Sequence, residues 1–288
     1  MDKRFYIISS ILLLMFALSA CGGVKKDNLT APRSPDVIAR GAHLVKGLAA
    51  CGFCHGVTSS PVAPIAGGRD VYDLYGAVSS PNISPSKSGI GFMSDDEVIL
   101  SIRGIWKKHP DKRSPTIHRG YEWISSADAL SIVSYLRSLT PINNKVKERV
   151  VGFTSRNSTG LFSAPAKVTG FVADINPSDK ILYGKYLVNH VARCGSCHTM
   201  DSSIFSGEKY LAGGKVFKNE SVEMVVPGLV GTSKSMNMWS ESELIEYFKA
   251  GIRPDKTTID PKACPVEFYR NANEQEISAM VLYLRSLS

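Results

Sequence analysis

The stretch "LYGKYLVNHVARCGSCHT", residues 182–199, decides the fold, because the chain has already written it once. "ARGAHLVKGLAACGFCHG", residues 39–56, aligns to it without a gap. Both segments hold Gly, then Leu-Val, then Ala two residues before the first of two cysteines. Internal repetition of this kind is the sign of a module used twice. Gly41 and Gly184 open the two segments, and glycine there permits close approach of another backbone.

The match continues downstream. "FMSDDEVILSIRGI" (92–105) pairs with "MWSESELIEYFKAGI" (238–252). Each begins with Ser-x-x-Glu, a capping box, at Ser94/Glu97 and Ser240/Glu243. Apolar residues follow at helical spacing, Val98, Ile99, Ile102 and Leu244, Ile245, Phe248. Each run stops at a glycine, Gly104 or Gly251. "ADALSIVSYLRSL" (127–139) then pairs with "EQEISAMVLYLRSL" (274–287), with Asn273 and Glu276 as a second kind of N-terminal cap. The expected fold class is therefore all-α, as two tandem domains of three helices each. Long Gly/Pro/Ser-rich loops are hard to justify in so small a helical unit. They become reasonable if they wrap a flat apolar cofactor.

Cys51, Cys54 and His55, and again Cys194, Cys197 and His198, form C-x-x-C-H, the spacing of c-type haem attachment. On a helix, i and i+3 share a face. Two thiols there reach the two haem vinyls, and the adjacent histidine serves as proximal iron ligand. A redox disulfide or a zinc site shared by the two pairs are the alternatives. Neither explains a histidine directly after both pairs, or the export signal ahead of them. The cofactor expectation is two covalently attached haem c groups.

That signal is "MDKRF", a basic start, followed by "YIISSILLLMFALSA", too short for a comfortable membrane span of about 20 residues. It ends in Leu18-Ser19-Ala20-Cys21, which resembles the lipobox of bacterial lipoproteins and makes Cys21 a lipidation site. The expected layout is a signal peptide over 1–20, a lipidated tether over 21–34, domain 1 over 35–141, a linker over 142–178 and domain 2 over 179–288. Location on the periplasmic side of the bacterial envelope follows, with a lipid anchor to the membrane.

The repeated "LV…CxxCH" segment with a terminal "YLRSL" helix resembles class I diheme cytochromes c of the bacterial periplasm. Similar paired modules occur in cytochrome subunits of membrane-bound alcohol and gluconate dehydrogenases. The resemblance covers nearly all of the chain after the signal. It implies electron transfer, with the haem helix crossing the last helix near Gly41 and Tyr135, and near Gly184 and Tyr283. It also implies a methionine as sixth ligand, in a Met-Pro pair five residues before a tyrosine. In the second module that register reads Cys264, Pro265 and Tyr269, so Cys264 is the expected distal ligand of the second haem. Thiolate is a soft donor that haem iron accepts. A buried spare thiol, a thiol that pairs with a partner protein, and Met224, Met236 or Met238 as ligand are the alternatives. In the first module the register gives Thr116, a poor ligand, and His118 two residues on is the expected distal ligand. Met93 and an open position are its alternatives. Met280, His43, His109 and His190 read as packing or surface residues.

The formal net charge is +8 with a pI near 9.1. Scattered Lys and Arg in an exported chain give no case for nucleic acid. A basic surface suits acidic redox proteins or anionic lipid. The expected partners are redox proteins, a dehydrogenase subunit or a terminal oxidase. The expected function is electron carriage rather than catalysis. The competing reading is a haem enzyme of the thiosulfate-oxidising, thiolate-ligated type, or a peroxidase.

Overall fold

A computed structural model of the protein describes residues 29–73, 75–105, 117–152, 167–200, 209–218 and 223–287. Cys21, His109 and Thr116 lie outside the described residues. The fold is helix-rich, and its main helices recur in the order the repeats demand. Helix α1 (Pro35–Lys46) leads into α2 (Cys51–His55); α3 (Asp95–Ile102) and α4 (Ser126–Ser138) follow. In the second half, α5 (Lys180–Tyr186) continues as a wider π-type turn (Leu187–Val191) into α6 (Gly195–His198). A short α7 (Lys234–Met238), α8 (Glu241–Ala250), α9 (Val266–Tyr269) and α10 (Glu274–Ser286) complete it.

Local chemistry sets the helix ends. Ser94, Ser240 and Asn273 each accept from the backbone N–H three residues on, and the glutamate there reaches back, closing three capping boxes. Gly104 and Gly251 end their helices at φ +76° and +71°, a left-handed conformation that costs glycine little.

Two helix pairs carry the core. Helix α1 lies on α4, and α5 lies on α10. Leu44, Val45 and Leu48 bury against Ile132, Val133 and Leu136 in one half; Leu187, Val188 and Val191 bury with Ile277, Met280 and Leu284 in the other. Each such side chain contributes about 1.5–3 kcal/mol. The crossings are at Gly41 and Gly184. A β-carbon on Gly41 would sit 1.9 Å from the Ser131 carbonyl oxygen and 2.8 Å from Cβ of Tyr135; on Gly184 it would meet the Ala279 oxygen at 1.9 Å and Cβ of Tyr283 at 3.0 Å. The arginines of the two "YLRSL" segments do matching work. Arg137 donates to the Met93 carbonyl and Arg285 to the Trp239 carbonyl, each just ahead of a capping serine.

The helix-rich expectation stands, with one addition. The loop after each CxxCH motif folds into a two-stranded antiparallel hairpin. Strands β1 (Asp70–Asp73) and β2 (Gly76–Ser79) pair with Val71 opposite Val78; β3 (Val216–Lys218) and β4 (Glu223–Val225) pair with Phe217 opposite Met224. Strands of three or four residues are too short to announce themselves by alternation. The linker packs on the first half. Asn82 donates to the carbonyls of Ile142 and Asn144, Arg149 pairs with Asp73 at 2.6 Å, and Val172 and Ser126 exchange hydrogen bonds.

The halves meet over a buried polar cluster. Arg40 forks onto Asp128 at 2.9 and 3.1 Å and reaches Glu276 at 3.2 Å. Tyr186 donates to Asp128 at 2.8 Å, and His43 Nε2 lies 2.8 Å from Glu276. Asp128 and Glu276 stand at the same position of the two repeated C-terminal helices. Burial pushes the Glu276 carboxyl up, but hydrogen bonds from His43 and the Asn273 N–H, with the charges of His43 and Arg40, hold it below the usual carboxylate range. A depressed folded-state pKa stabilises the protein above the unfolded value, near 4.3, and that contribution is lost as pH falls through the folded value. Urea midpoints measured from pH 7 down to 3 are expected to fall on the acid side. Glu276→Gln should flatten that fall, and an identical slope in the variant would refute the assignment.

Candidate functional site

Both CxxCH turns start from an unusual backbone. Ala50 and Arg193, immediately ahead of the first cysteines, hold φ +45° and +52°, which few residues other than glycine adopt. In the first motif both cysteines line one cavity. No disulfide joins the five described cysteines, and burial pushes the Cys51 and Cys194 thiols up to about 12.

The histidines of the two motifs are held alike. His55 Nδ1 donates to the Pro81 carbonyl at 2.8 Å, and His198 Nδ1 to the Pro227 carbonyl at 2.7 Å. A ring that donates from Nδ1 keeps its lone pair on Nε2, the arrangement that orients a metal-binding imidazole. A repeated glycine turn supplies the acceptor loop. The Gly67 N–H donates to the His55 carbonyl at 2.8 Å and the Gly213 N–H to the His198 carbonyl at 2.7 Å. A side chain on Gly67 would lie 2.5 Å from the Asn82 nitrogen, and one on Gly213 would lie 2.4 Å from the Gly228 nitrogen. "AGGR" (66–69) and "AGGK" (212–215) are the sequence signal of this turn.

In the first half these residues open on a cavity of about 1130 Å³, lined by Cys51, Cys54, His55, Met93, His118 and Tyr121 among others. That is large beside the usual ligand pocket of about 300–1,000 Å³, and most of its wall is apolar. His118 stands across it from His55. The ring centres are 6.2 Å apart, with planes at 72°. One metal ion about 2 Å from each of two imidazole nitrogens holds their ring centres roughly 6 Å apart. His118 Nδ1 donates to the Ser101 carbonyl at 2.8 Å. Burial, the Arg193 charge and the His55 charge together lower its pKa to about 3. The ring is thus neutral and presents a lone pair. The cavity, the thiol pair and the facing imidazoles fit a covalently attached haem. Among the described residues no three His, Cys, Asp or Glu side chains form a group that could hold a metal ion.

In the second half Cys264 lies with Cys194 and Cys197. Burial and the nearness of those two thiols push it up to about 12. Tyr269, on the helix that Pro265 starts, is buried against the same group; burial first, then Cys194, Cys264 and Cys197, raise its hydroxyl. The other candidates sit elsewhere or differently. Met236 and Met280 are core residues, Met238 is exposed, Met224 belongs to β4, and Met93 lines the first cavity while packing on the core. His43 and His190 are interface residues, His190 donating from Nδ1 to the Gly120 carbonyl.

Each half braces the loop that carries the other's candidate distal ligand. The His118 loop is clasped by His190 and Arg193 of the second half. The Cys264 loop lays Phe268 against Phe53, ring centres 6.4 Å apart, and Asn271 donates to the Lys46 carbonyl at 2.7 Å. Gly52, between the two cysteines of the first motif, faces Phe268: a β-carbon there would lie 3.1 Å from its ring.

Paired CxxCH turns, carbonyl-anchored histidines and a helix-bounded cavity are features that cytochrome c-like proteins share. Comparison with known proteins agrees. It is 27% identical over 261 residues to the fructose dehydrogenase cytochrome subunit of Gluconobacter japonicus, covering 87% of this chain and 52% of the relative. It is 24% identical over 298 residues to the gluconate 2-dehydrogenase cytochrome c subunit of Pantoea cypripedii, covering 98% and 65%. It is 22% identical over 247 residues to a diheme cytochrome c-type protein of Cereibacter sphaeroides, covering 82% and 81%. The chain spans about half to two thirds of the length of the dehydrogenase subunits it matches. No family model matches it.

Proposed function

We propose that the protein is a diheme c-type cytochrome that carries electrons in the bacterial cell envelope as the cytochrome partner of a dehydrogenase. It binds haem c, and its role is electron carriage. The observation that supports this best is the His55–His118 pair across a cavity that also holds Cys51 and Cys54. Residues 35–141 and 179–288 form the two haem domains. His55 and His118 are the axial pair of the first, His198 and Cys264 that of the second. When bound, the haem supplies a one-electron couple. The chain attaches it by thioethers, fixes the imidazole tautomers through Pro81, Ser101 and Pro227, and excludes water with the apolar wall. The names of the relatives favour carriage over the thiosulfate-oxidising or peroxidase reading, and a dehydrogenase as electron donor. A terminal oxidase is the matching acceptor.

Attachment to the membrane is assigned to a lipid on Cys21, on the strength of the "LSAC" junction. Among the described residues no helix is long and apolar enough to cross a membrane.

A pyridine haemochrome count on the purified protein is expected to give two haems per chain; one would end the diheme reading. His118→Ala should convert the first haem alone to a partly high-spin ferric form. A spectrum unchanged by that substitution would remove His118 from the ligand set.

A further inference from the structure

Arg193 is where the two halves depart from symmetry. Its counterpart in the first half is Ala50, with the same left-handed backbone. Only Arg193 sends a charge from that turn into the opposite half. Its Nη1 donates to the Ile117 carbonyl at 2.8 Å and reaches the Arg119 carbonyl at 3.5 Å. Those two residues flank His118. The guanidinium carbon lies 4.0 Å from the centre of the Tyr121 ring, whose hydroxyl is anchored on the Ala49 carbonyl at 2.7 Å. The Arg193 Nε is buried with no hydrogen-bond partner among the described residues, and the groups that act most on its charge are Tyr121, Cys54 and Cys197. It also forms part of the cavity wall beside His55 and His118.

We propose that Arg193, supplied by the second half, is the positioning and potential-setting residue of the first haem. The proposal rests on the axial pair His55–His118 assigned above. The contacts to Ile117 and Arg119 fix the backbone on both sides of His118 and so hold its ring at the iron. The charge acts separately. Reduction delivers one electron to the haem iron and removes one positive charge from it. A fixed cation in a poorly solvated site interacts strongly over several ångströms. It therefore favours the reduced form and raises the potential.

Arg193→Gln and Arg193→Lys separate the two roles. The measurements are an optical redox titration and the ferric EPR spectrum of the diheme protein. Arg193→Gln is expected to shift the one-electron equilibrium of the first haem at least tenfold toward the oxidised form, about 59 mV, and to broaden its bis-imidazole EPR signal. Arg193→Lys keeps the charge and loses the planar fork. It should hold the potential to within about a threefold change in that equilibrium, roughly half of the 59 mV, while still broadening the signal. Unchanged potential in Arg193→Gln overturns the electrostatic role. Should that variant fail to accumulate, Arg193→Lys decides: a tenfold fall in its equilibrium, or an unbroadened signal, overturns the proposal. A wild-type first haem without a bis-imidazole signal would instead defeat the axial assignment, and that is seen before any variant is made.

Discussion

Gly41→Ala and Gly184→Ala are each expected to abolish accumulation of the folded protein or to lower its stability by at least about 4 kcal/mol, at the extreme of single substitutions. Overpacking a core usually costs about 1–3 kcal/mol because side chains give way. Here the added methyl meets a helix carbonyl at 1.9 Å in both cases, and a backbone oxygen inside a helix cannot step aside. The helices must separate, and the contacts of Leu44 and Val45, or of Leu187 and Val188, go with them. Total stability of a domain is only about 5–15 kcal/mol. Gly152→Ala is the control, since nothing lies within 4 Å of its added carbon. Denaturant midpoints and haem yield measure the effect. Midpoints equal to the control would mean that the crossings are not as close as described.

Cys264→Met is expected to raise the potential of the second haem by at least a hundredfold in its one-electron equilibrium, about 120 mV. A thiolate is an anion and favours ferric iron, whereas a thioether is neutral. The Cys264 thiol is pushed up to about 12 by burial and by Cys197 and Cys194, so a bound cation is what makes the anion affordable there. Cys264→Ala should remove the ligand and produce a high-spin ferric component. The spectrum of the first haem should persist in both variants, because its axial pair lies on other loops. If both variants reproduce the wild-type spectra and potentials, Cys264 is a packing residue.

Much of this was legible in the residues. The CxxCH turns and the Ser/Asn–Glu caps depend on near neighbours in sequence, so their chemistry reads directly; the glycine crossings join helices about 90 residues apart and were expected only from the family resemblance. The short hairpins did not read, since three or four residues carry no usable period. Pro81 and Pro227 were invisible as acceptors because their role comes from backbone carbonyls, which every residue has. Arg193 was invisible for the opposite reason: its partners, Ile117, Arg119 and Tyr121, come from the other half of the chain, and its aligned counterpart is an alanine.

The reciprocal bracing has a consequence for how the molecule comes into being. If the chain is exported and loaded with two haems as proposed, "CGFCH" emerges ahead of "CGSCH". Yet the loop bearing His118 is clasped by His190 and Arg193, which have not then appeared. The earlier half therefore finishes its site only after the later half has folded upon it, and the later half leans on Phe53 and Lys46 in return. On the proposed axial assignment, maturation would be interleaved rather than sequential, each half waiting on contacts supplied by the other.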